Sequence, residues 1–272
     1  MTVIQAAILG VVQGLTEFLP ISSDGHLAVT YRLMGASPNL SFEVFLHAAT
    51  LIAMLTYFWP DVVRLLSSLL PKNSHRVADR RVVLLIAIAT VVSGCLALVL
   101  GKVIEQLSAS MLAVALGFLG TTTLLVIAEI ADRKGPSLEG PDSLGFASVG
   151  MVGFLQGLAV LPGLSRSGST IAGGMFFGLS REDAARFGFL LGIPIIALAS
   201  AKDTLDVVQG ASHLPGSPLA LAIGFLAAGL SGYAAIWGLL KFVKNHSLYW
   251  FAAYTGVLGA VMLLGVTVLG RG

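Results

Sequence analysis

The stretch GLTEFLPISSDGHLA, residues 14–28, lies where a membrane span would be expected to stay apolar. It carries a glutamate, two serines, an aspartate and a histidine, and a proline and a glycine interrupt it. Irregular backbone at membrane depth is tolerated only where it is buried in protein or lines a cavity. The stretch therefore predicts a helix that breaks inside the membrane around a polar site.

The composition of the whole chain supports a membrane location. Of its 272 residues, 56% are hydrophobic and 11% are charged, and the mean hydropathy is +0.90. A soluble domain usually has about 25% charged residues. The formal net charge of +2, without basic clusters that have aromatic residues between them, gives no sign of nucleic-acid binding. The single cysteine excludes an internal disulfide. We predict an all-α integral membrane protein.

Six stretches are apolar enough to be transmembrane helices. They are residues 44–59, 82–100, 111–128, 187–201, 219–240 and 249–269. Two further apolar segments, residues 3–36 and 149–180, are interrupted by proline, glycine and polar residues. Each of these two segments is predicted to form a re-entrant hairpin of two half-length helices.

The two interrupted segments resemble each other. Shifted by 143 positions without a gap, they share six identities over residues 10–25. The matched pairs are Gly10 and Gly153, Gln13 and Gln156, Gly14 and Gly157, Leu15 and Leu158, Ser22 and Ser165, and Gly25 and Gly168. Three spans follow each segment, and this odd number makes the second repeat inverted relative to the first. We predict a single membrane domain, residues 1–272, built from inverted-topology repeats of about 1–131 and 149–270.

The distribution of basic residues predicts the orientation. The segment 61–81 carries Arg64, Lys72, Arg76, Arg80 and Arg81. It is predicted to be cytoplasmic, because cytoplasmic loops are enriched in Lys and Arg. The segment 101–110 carries only Lys102 and is predicted to be external. With this alternation the first hairpin enters from outside and the second from inside, so that their tips meet near the midplane.

Polar residues cluster at the two predicted tips. The first tip carries Gln13, Glu17, Ser22, Ser23, Gly25 and His26, and the second carries Ser165, Arg166, Ser167 and Thr170. Two half-helix N-termini form an anion site, because free backbone N–H groups and the positive end of the helix dipole favour phosphate. The planar guanidinium of Arg166 matches phosphate oxygens. Glu17 and His26 are suited to acid–base chemistry, and Ser23 to nucleophilic attack.

Structural alternatives remain for several of these residues. Glu17 and Arg166 also fit a pair that locks the two repeats together, and His26 fits a purely structural hydrogen-bonding residue. Any single hydroxyl in a membrane helix fits a bond to a backbone carbonyl. Glu43 and His47, four residues apart at the start of a span, either approach the site or lie at the membrane interface.

Three stretches resemble a known family. AAILGVVQGLTEFLPISSDGHL (6–27) and LPGLSRSGSTIAGGMFFGLSR (161–181) are similar to the two signature motifs of bacterial undecaprenyl-diphosphatases, the bacitracin-resistance membrane phosphatases. FEVFLHAATLIAMLTYFW (42–59) resembles the segment that follows the first motif there. The resemblance covers essentially the whole chain in length, span order and motif position.

The resemblance implies hydrolysis of undecaprenyl diphosphate to undecaprenyl phosphate and inorganic phosphate. This reaction recycles the lipid carrier for peptidoglycan synthesis, and thereby serves cell wall biogenesis and cell shape. The protein would be multi-pass in the bacterial inner membrane, with its site facing the periplasm. Its partners would be the polyprenyl diphosphate and the bilayer, and a homodimer is left open. Bacitracin would compete indirectly by binding the substrate.

The resemblance also assigns residue roles. Catalytic residues would be Glu17, Ser23, His26 and Arg166. Phosphate-binding residues would be Gln13, Ser22, Gly25, Ser165, Arg166, Ser167 and Thr170. As a hypothesis beyond the resemblance, we expect a divalent cation, Mg²⁺ or Ca²⁺, at Glu17 and either water or Ser23 as the nucleophile.

The chain departs from the family pattern at two positions. Gln13 stands where the family often has glutamate, and Asp24 stands where it usually has a small hydroxyl residue or a glycine-like one. Asp24 is compatible with capping a half-helix, binding a cation or repelling an anion. A flippase or anion carrier that binds a polyprenyl phosphate at the same tips is the alternative function, because inverted repeats are common in transporters.

Overall fold

The structure, a computed structural model, describes residues 1–73, 75–107, 110–209 and 214–269. Within these ranges all regular structure is helical. The α-helices are α1 (Val3–Phe18), α2 (Ser23–Leu33), α3 (Leu40–Tyr57), α4 (Trp59–Ser68), α5 (Val77–Leu107), α6 (Met111–Ala131), α7 (Phe146–Leu158), α8 (Arg166–Phe176), α9 (Arg181–Val208), α10 (Pro218–Val243) and α11 (Tyr249–Leu269). The predicted all-α class is confirmed.

Six of these helices, α3, α5, α6, α9, α10 and α11, are long and apolar enough to cross a membrane. The six predicted spans are therefore confirmed, although several helices extend beyond the predicted ends. The largest N-terminal extension is in α9, which begins at Arg181 rather than at residue 187. Ser180 stabilises this earlier start, because its Oγ accepts a hydrogen bond from the backbone N–H of Asp183 at 3.1 Å.

Helix α4 lies in a segment that the sequence analysis treated as a loop. It begins with Trp59 and Pro60, and proline is well tolerated in the first turn of a helix. Leu65 is buried, while Arg64 on the outer side of the helix pairs with Asp61 and Asp79. The prediction was wrong here because a ten-residue amphipathic helix has no long apolar run.

Both interrupted segments form two short helices separated by a break. Helix α1 ends at Phe18 and α2 begins at Ser23, whereas α7 ends at Leu158 and α8 begins at Arg166. The predicted positions of the breaks thus agree with the helix boundaries. The breaks place Glu17 near the end of α1 and Arg166 at the start of α8.

Small residues allow the two short helices α1 and α7 to pack closely against long ones. Helix α1 packs against α10, and α7 packs against α5. A side-chain Cβ at Gly10 would overlap the carbonyl of Gly224 on α10, and one at Gly153 would lie 2.6 Å from the carbonyl of Ala89 on α5. Such small-residue contacts are how helices approach each other closely in lipid.

A buried carboxylate ties together three spans at the end of the bundle where α6 finishes and α9 and α11 begin. Glu129 accepts hydrogen bonds from Arg181 Nε at 2.8 Å, from Arg181 Nη2 at 2.6 Å and from the backbone N–H of Leu248 at 2.7 Å. Glu129 is almost fully buried. With all these partners in place the ion pair serves to anchor the helix ends.

We expect Gly10→Ala to lower the thermal stability of the purified protein, because the added methyl group has no space between α1 and α10. Overpacking of this kind typically costs about 1–3 kcal/mol. The matched control is Gly94→Ala in α5, where an added Cβ meets no atom within 4 Å. Thermal unfolding in detergent should separate the two variants, and equal melting temperatures would contradict the close packing of α1 on α10.

Candidate active site

Glu17 lies at the centre of the contacts between the two breaks. Its Oε1 accepts a hydrogen bond from Arg166 Nη2 at 2.6 Å. Its Oε2 accepts hydrogen bonds from Ser23 Oγ at 2.7 Å and from Gln13 Nε2 at 3.0 Å. The structure therefore brings together four of the predicted site residues. It also contains the Glu17–Arg166 pair that was an alternative interpretation of these two residues.

His47 on α3 also belongs to this cluster. Its Nε2 lies 3.3 Å from Glu17 Oε2 and 3.9 Å from Asp24 Oδ1. Its Nδ1 lies 2.8 Å from the carbonyl oxygen of Glu43, which can only accept a hydrogen bond, so Nδ1 donates. Of the two placements left open for His47, the structure shows the one at the site. The sequence shows only that Glu43 and His47 are four residues apart on one helix. This spacing does not reveal which neighbouring helix the His47 ring faces.

Most of these side chains line a cavity of about 400 Å³, here called the polar cavity, whereas Gln13 is fully buried and is not part of its lining. Its polar lining consists of Glu17, Ser22, Ser23, Asp24, His47, Gln156 and Arg166. Its apolar lining consists of Leu40, Val44, Ile104, Ala159, Val160, Leu164, Ile195, Ile196 and Ala199. A second cavity of about 380 Å³ shares Asp24, Leu40, Val44, His47, Ile104 and Val160 with it. A charged region beside an extended apolar wall suits a lipid with an anionic headgroup.

One nitrogen of Arg166 has unused hydrogen-bonding capacity. Its Nη1 is buried and has no hydrogen-bond partner among the described residues. The space for this nitrogen depends on Gly192 of α9, where a side-chain Cβ would overlap Nη1. Because a buried guanidinium is costly when unsatisfied, Arg166 is suited to bind an incoming anion.

Gln156 is a cavity residue that the sequence analysis did not assign to the site. It is buried on α7, and its Nε2 donates to Ser93 Oγ at 2.9 Å. Its Oε1 has no hydrogen-bond partner among the described residues. The signal that would have found it is the repeat, because Gln156 matches Gln13 at the offset of 143 residues.

Ser22 adopts an unusual backbone conformation directly before Ser23. With φ of 71° it is the one non-glycine residue with positive φ in the described part of the chain. Such a conformation costs about 1–3 kcal/mol and persists where the surrounding structure enforces it. Ser22 also caps α2, since its Oγ accepts from the backbone N–H of Gly25 at 3.3 Å. Ser22 lines the polar cavity, and its contact with phosphate stays a prediction.

The structure does not bring His26 to Glu17 and Ser23. Its Nδ1 lies 2.7 Å from the carbonyl oxygen of Ser22, and its Nε2 lies 2.7 Å from the hydroxyl of Tyr254. The ring is not part of the lining of the polar cavity. The predicted acid–base role of His26 stays a prediction that this arrangement does not support, because both ring nitrogens already have partners on the side of α2 that faces α11.

The predicted phosphate-binding hydroxyls of the second break are used inside the protein. Ser165 Oγ accepts from the backbone N–H of Gly168 at 3.0 Å and so caps α8. Ser167 Oγ donates to the carbonyl oxygen of Leu19 at 2.9 Å, which links the two breaks. Both serines are buried and neither lines the polar cavity. Both hydroxyls bond to backbone groups, which agrees with the structural alternative given for hydroxyls in membrane helices.

Thr170 and Gly25 also have packing roles in the structure. Thr170 Oγ1 donates to carbonyl oxygens of the preceding turn of α8, with both distances 3.1 Å, and it is fully buried. A Cβ at Gly25 would lie 2.6 Å from Phe118 Cζ, so glycine here permits close packing of α2 on α6. Neither residue lines the polar cavity, which does not support the predicted contacts with phosphate.

Glu17 and Asp24 are the two carboxylates of the polar cavity that could bind the predicted divalent cation. Both oxygens of Glu17 are engaged by Arg166, Ser23 and Gln13, and His47 adds a fourth neighbour. The Asp24 side chain is 51% exposed and faces His47 rather than capping α2. Among the described residues, no group of three or more His, Cys, Asp or Glu side chains is arranged to hold a metal ion. The donor atoms therefore do not fit a cation at Glu17 in this arrangement.

Comparisons with known proteins agree with the motifs. The family model described as "Bacitracin resistance protein BacA" matches residues 6–261. The chain is 40% identical to the undecaprenyl-diphosphatase of Desulfosudis oleivorans over 96% of this chain and 97% of that protein. It is 36% identical to the undecaprenyl-diphosphatase of Methanosphaera stadtmanae over 98% and 99% of the two chains.

A further relative is undecaprenyl-diphosphatase 2 of Stutzerimonas stutzeri, which is 36% identical over 97% of this chain and 98% of that protein. The chain belongs to the bacitracin resistance protein BacA family. The resemblance implied a bacterial family, but the relatives include archaeal proteins. The family is therefore not restricted to bacteria.

We expect Arg166→Met to lower thermal stability, because it leaves Glu17 buried without its closest positive partner. Removing one member of a buried ion pair typically costs about 3–5 kcal/mol. The double variant Glu17→Gln, Arg166→Met should unfold at a higher temperature than Arg166→Met alone, since the unpaired charge is gone. Unfolding curves of the two single variants and the double variant measure this coupling. Losses that simply add would contradict an energetically coupled pair.

Proposed function

We propose that this family member hydrolyses undecaprenyl diphosphate to undecaprenyl phosphate and inorganic phosphate. The family assignment and the names of the relatives support the substrate. The observation that carries the proposal is the hydrogen bond from Ser23 Oγ to Glu17 Oε2 at 2.7 Å, beside Arg166 in a cavity with an apolar wall. A hydroxyl paired with a carboxylate is a nucleophile with a base within reach, which anion binding alone does not require.

In the proposed first step Ser23 Oγ attacks the terminal phosphorus of the diphosphate. The P–O bond to the inner phosphate breaks, polyprenyl phosphate leaves with the bonding electron pair, and the Ser23 proton passes to Glu17. In the second step water attacks the phosphorus of the phosphoserine and the Ser23 Oγ–P bond breaks. Glu17 returns its proton to Ser23 Oγ, and inorganic phosphate leaves with both protons of the water. Arg166 and the N-terminus of α2 stabilise the charge on the transferring phosphoryl group, because phosphoryl transfer depends mainly on positioning and electrostatics.

Substrate binding should activate Glu17. In the observed arrangement Arg166 and His47 contact the carboxylate, which makes it a weak proton acceptor. Phosphate oxygens that enter the cavity compete with Glu17 for Arg166 and His47. Arg166 Nη1 breaks no hydrogen bond within the described chain when it binds a phosphate oxygen. Once Arg166 turns to the phosphate, Glu17 becomes the stronger base that the attack needs.

We also propose an external location for the site. The polar cavity is lined by Leu40 at the start of α3, by Ile104 near the end of α5 and by Ala199 in the second half of α9. The Arg-rich segment 61–81 lies at the other ends of α3 and α5. Since Arg-rich segments tend to remain in the cytoplasm, the cavity would open outward. A lipid diphosphate would then enter from the outer leaflet.

The predicted membrane plan is part of the proposal. Helices α1–α2 and α7–α8 would be re-entrant hairpins, and the two halves would be inverted copies within one multi-pass domain. The use of equivalent glycines supports this plan, since Gly10 packs α1 on α10 and Gly153 packs α7 on α5. In the cell the reaction would recycle the carrier for peptidoglycan synthesis, and bacitracin would compete for the same lipid.

A carrier or flippase for polyprenyl phosphate is the second candidate, because the paired half-length helices occur in many transporters. The engaged Ser23 and Glu17 pair favours the phosphatase. The two candidates separate when purified protein in detergent is given C15 or C55 diphosphate. A phosphatase releases inorganic phosphate under these conditions, whereas a carrier binds the lipid and leaves it intact.

We expect Glu17→Gln, Arg166→Ala and Ser23→Ala to lower phosphate release from C55 diphosphate by about 10²–10⁴-fold, which is typical for loss of a group acting directly in the reaction. The matched control is Ser169→Ala on α8. Ser169 is fully buried, lies outside the polar cavity and has an Oγ without a hydrogen-bond partner in the described chain. Near-normal activity of Glu17→Gln or Arg166→Ala in correctly folded protein would refute the assignment.

The choice between serine and water as nucleophile can be tested directly. If Ser23 attacks, rapid acid quenching during turnover of terminally labelled C15 diphosphate should leave a phosphoserine at Ser23, detected by peptide mass spectrometry. A Ser23→Ala variant that keeps more than about a tenth of the wild-type rate would instead indicate direct attack by water, since loss of a nucleophile costs far more.

A further inference from the structure

His26 has both ring nitrogens occupied away from the reacting groups. Nδ1 faces the carbonyl oxygen of Ser22, which only accepts, so Nδ1 carries a proton and donates at 2.7 Å. Nε2 of the neutral ring then accepts from the hydroxyl of Tyr254, also at 2.7 Å. The tautomer follows from these partners. No nitrogen remains for the Ser23 hydroxyl or for a phosphate.

The ring of His26 is held by two transmembrane helices. It stacks on Tyr254 of α11 with a centroid distance of 5.6 Å and an interplanar angle of 12°. It meets Phe118 of α6 edge-on, with a centroid distance of 5.2 Å. The ring therefore has a fixed position relative to α6 and α11, although it belongs to the short helix α2.

His26 bonds to the carbonyl oxygen of Ser22, the residue with positive φ. Ser22 O accepts hydrogen bonds from both the side chain and the backbone N–H of His26. Ser22 needs such support, because its φ of 71° is unfavourable for a residue with a side chain. The next residue is Ser23, and the peptide plane between the two sets the direction from which Ser23 reaches Glu17.

We propose that His26 and Tyr254 form a positioning pair for the nucleophile. His26 holds the backbone of Ser22 so that Ser23 Oγ points at Glu17, and the Tyr254 hydroxyl fixes the tautomer and the orientation of the His26 ring. His26 neither donates nor removes a proton in the reaction. This inference rests on the proposed function and adds Tyr254, on the last helix, to the residues on which the site depends.

The variants that test the pair differ in which hydrogen bond they keep. Asparagine at position 26 places an amide nitrogen near the position of Nδ1, so His26→Asn retains a donor to Ser22 but has no titrating ring. His26→Ala removes both bonds. Tyr254→Phe removes only the hydroxyl. The matched control is Tyr233→Phe on α10, another half-exposed tyrosine that is not part of the cavity lining.

We expect Tyr254→Phe and His26→Asn to lower kcat by about three- to tenfold, the effect of one neutral hydrogen bond, with little change in KM. The pH profile of His26→Asn should keep both limbs of the wild-type profile. His26→Ala should be clearly slower than His26→Asn, and Tyr233→Phe should match the wild type. The proposal is overturned if His26→Asn is as slow as His26→Ala and loses one limb of the profile, because this is the result for an acid–base residue.

A second readout does not depend on turnover of the lipid. A small fluorophosphonate reacts with activated serines, and peptide mass spectrometry gives the rate of labelling at Ser23. Slower labelling in His26→Ala and Tyr254→Phe than in Tyr233→Phe supports the positioning pair, and unchanged rates overturn it. If wild-type protein releases no phosphate from C15 or C55 diphosphate, the proposed function fails, while this labelling result still decides the role of His26.

Discussion

The buried ion pair between Glu17 and Arg166 is the contact on which the rest of the site depends. It joins the two chain breaks, and it pairs a buried carboxylate with the guanidinium that lies nearest to it. Two glycines permit the close approaches around this pair: Gly192 leaves space for the guanidinium, and Gly10 of α1 lets α1 pack on α10. The packing of the short helices therefore serves to bring one carboxylate and one guanidinium into contact across the bundle.

The chain breaks themselves supply the remaining polar groups, and the structure divides these between two tasks. Ser165 and Ser167 satisfy backbone groups and fasten the second break to the first, so their hydroxyls are not free for a ligand. Ser23 is directed into the cavity by the unfavourable backbone of Ser22. Helix ends rich in hydroxyl groups thus do not automatically form a phosphate cradle. Most of their hydrogen bonds hold the break together, and a few remain for chemistry.

The sequence predicted those features that depend on local pattern. Long apolar runs located the six spans, and proline, glycine and serine located both breaks, which was enough to bring Glu17, Ser23 and Arg166 together. It did not predict the direction of His26, because a residue one turn into a helix faces a neighbour that only the tertiary packing determines. For the same reason His47 remained ambiguous until α3 was seen to lie beside α1.

In the proposed reaction the ion pair links the stability of the site to its reactivity. In the observed arrangement Glu17 supplies the negative charge that Arg166 and His47 require, and so it occupies the electrostatic role of a phosphate. A diphosphate carries more charge and more acceptor oxygens than one carboxylate, so it competes effectively for Arg166. The displaced carboxylate is left beside the Ser23 hydroxyl, at the distance needed to accept its proton. Binding of the anion and activation of the nucleophile are then consequences of the same exchange of partners.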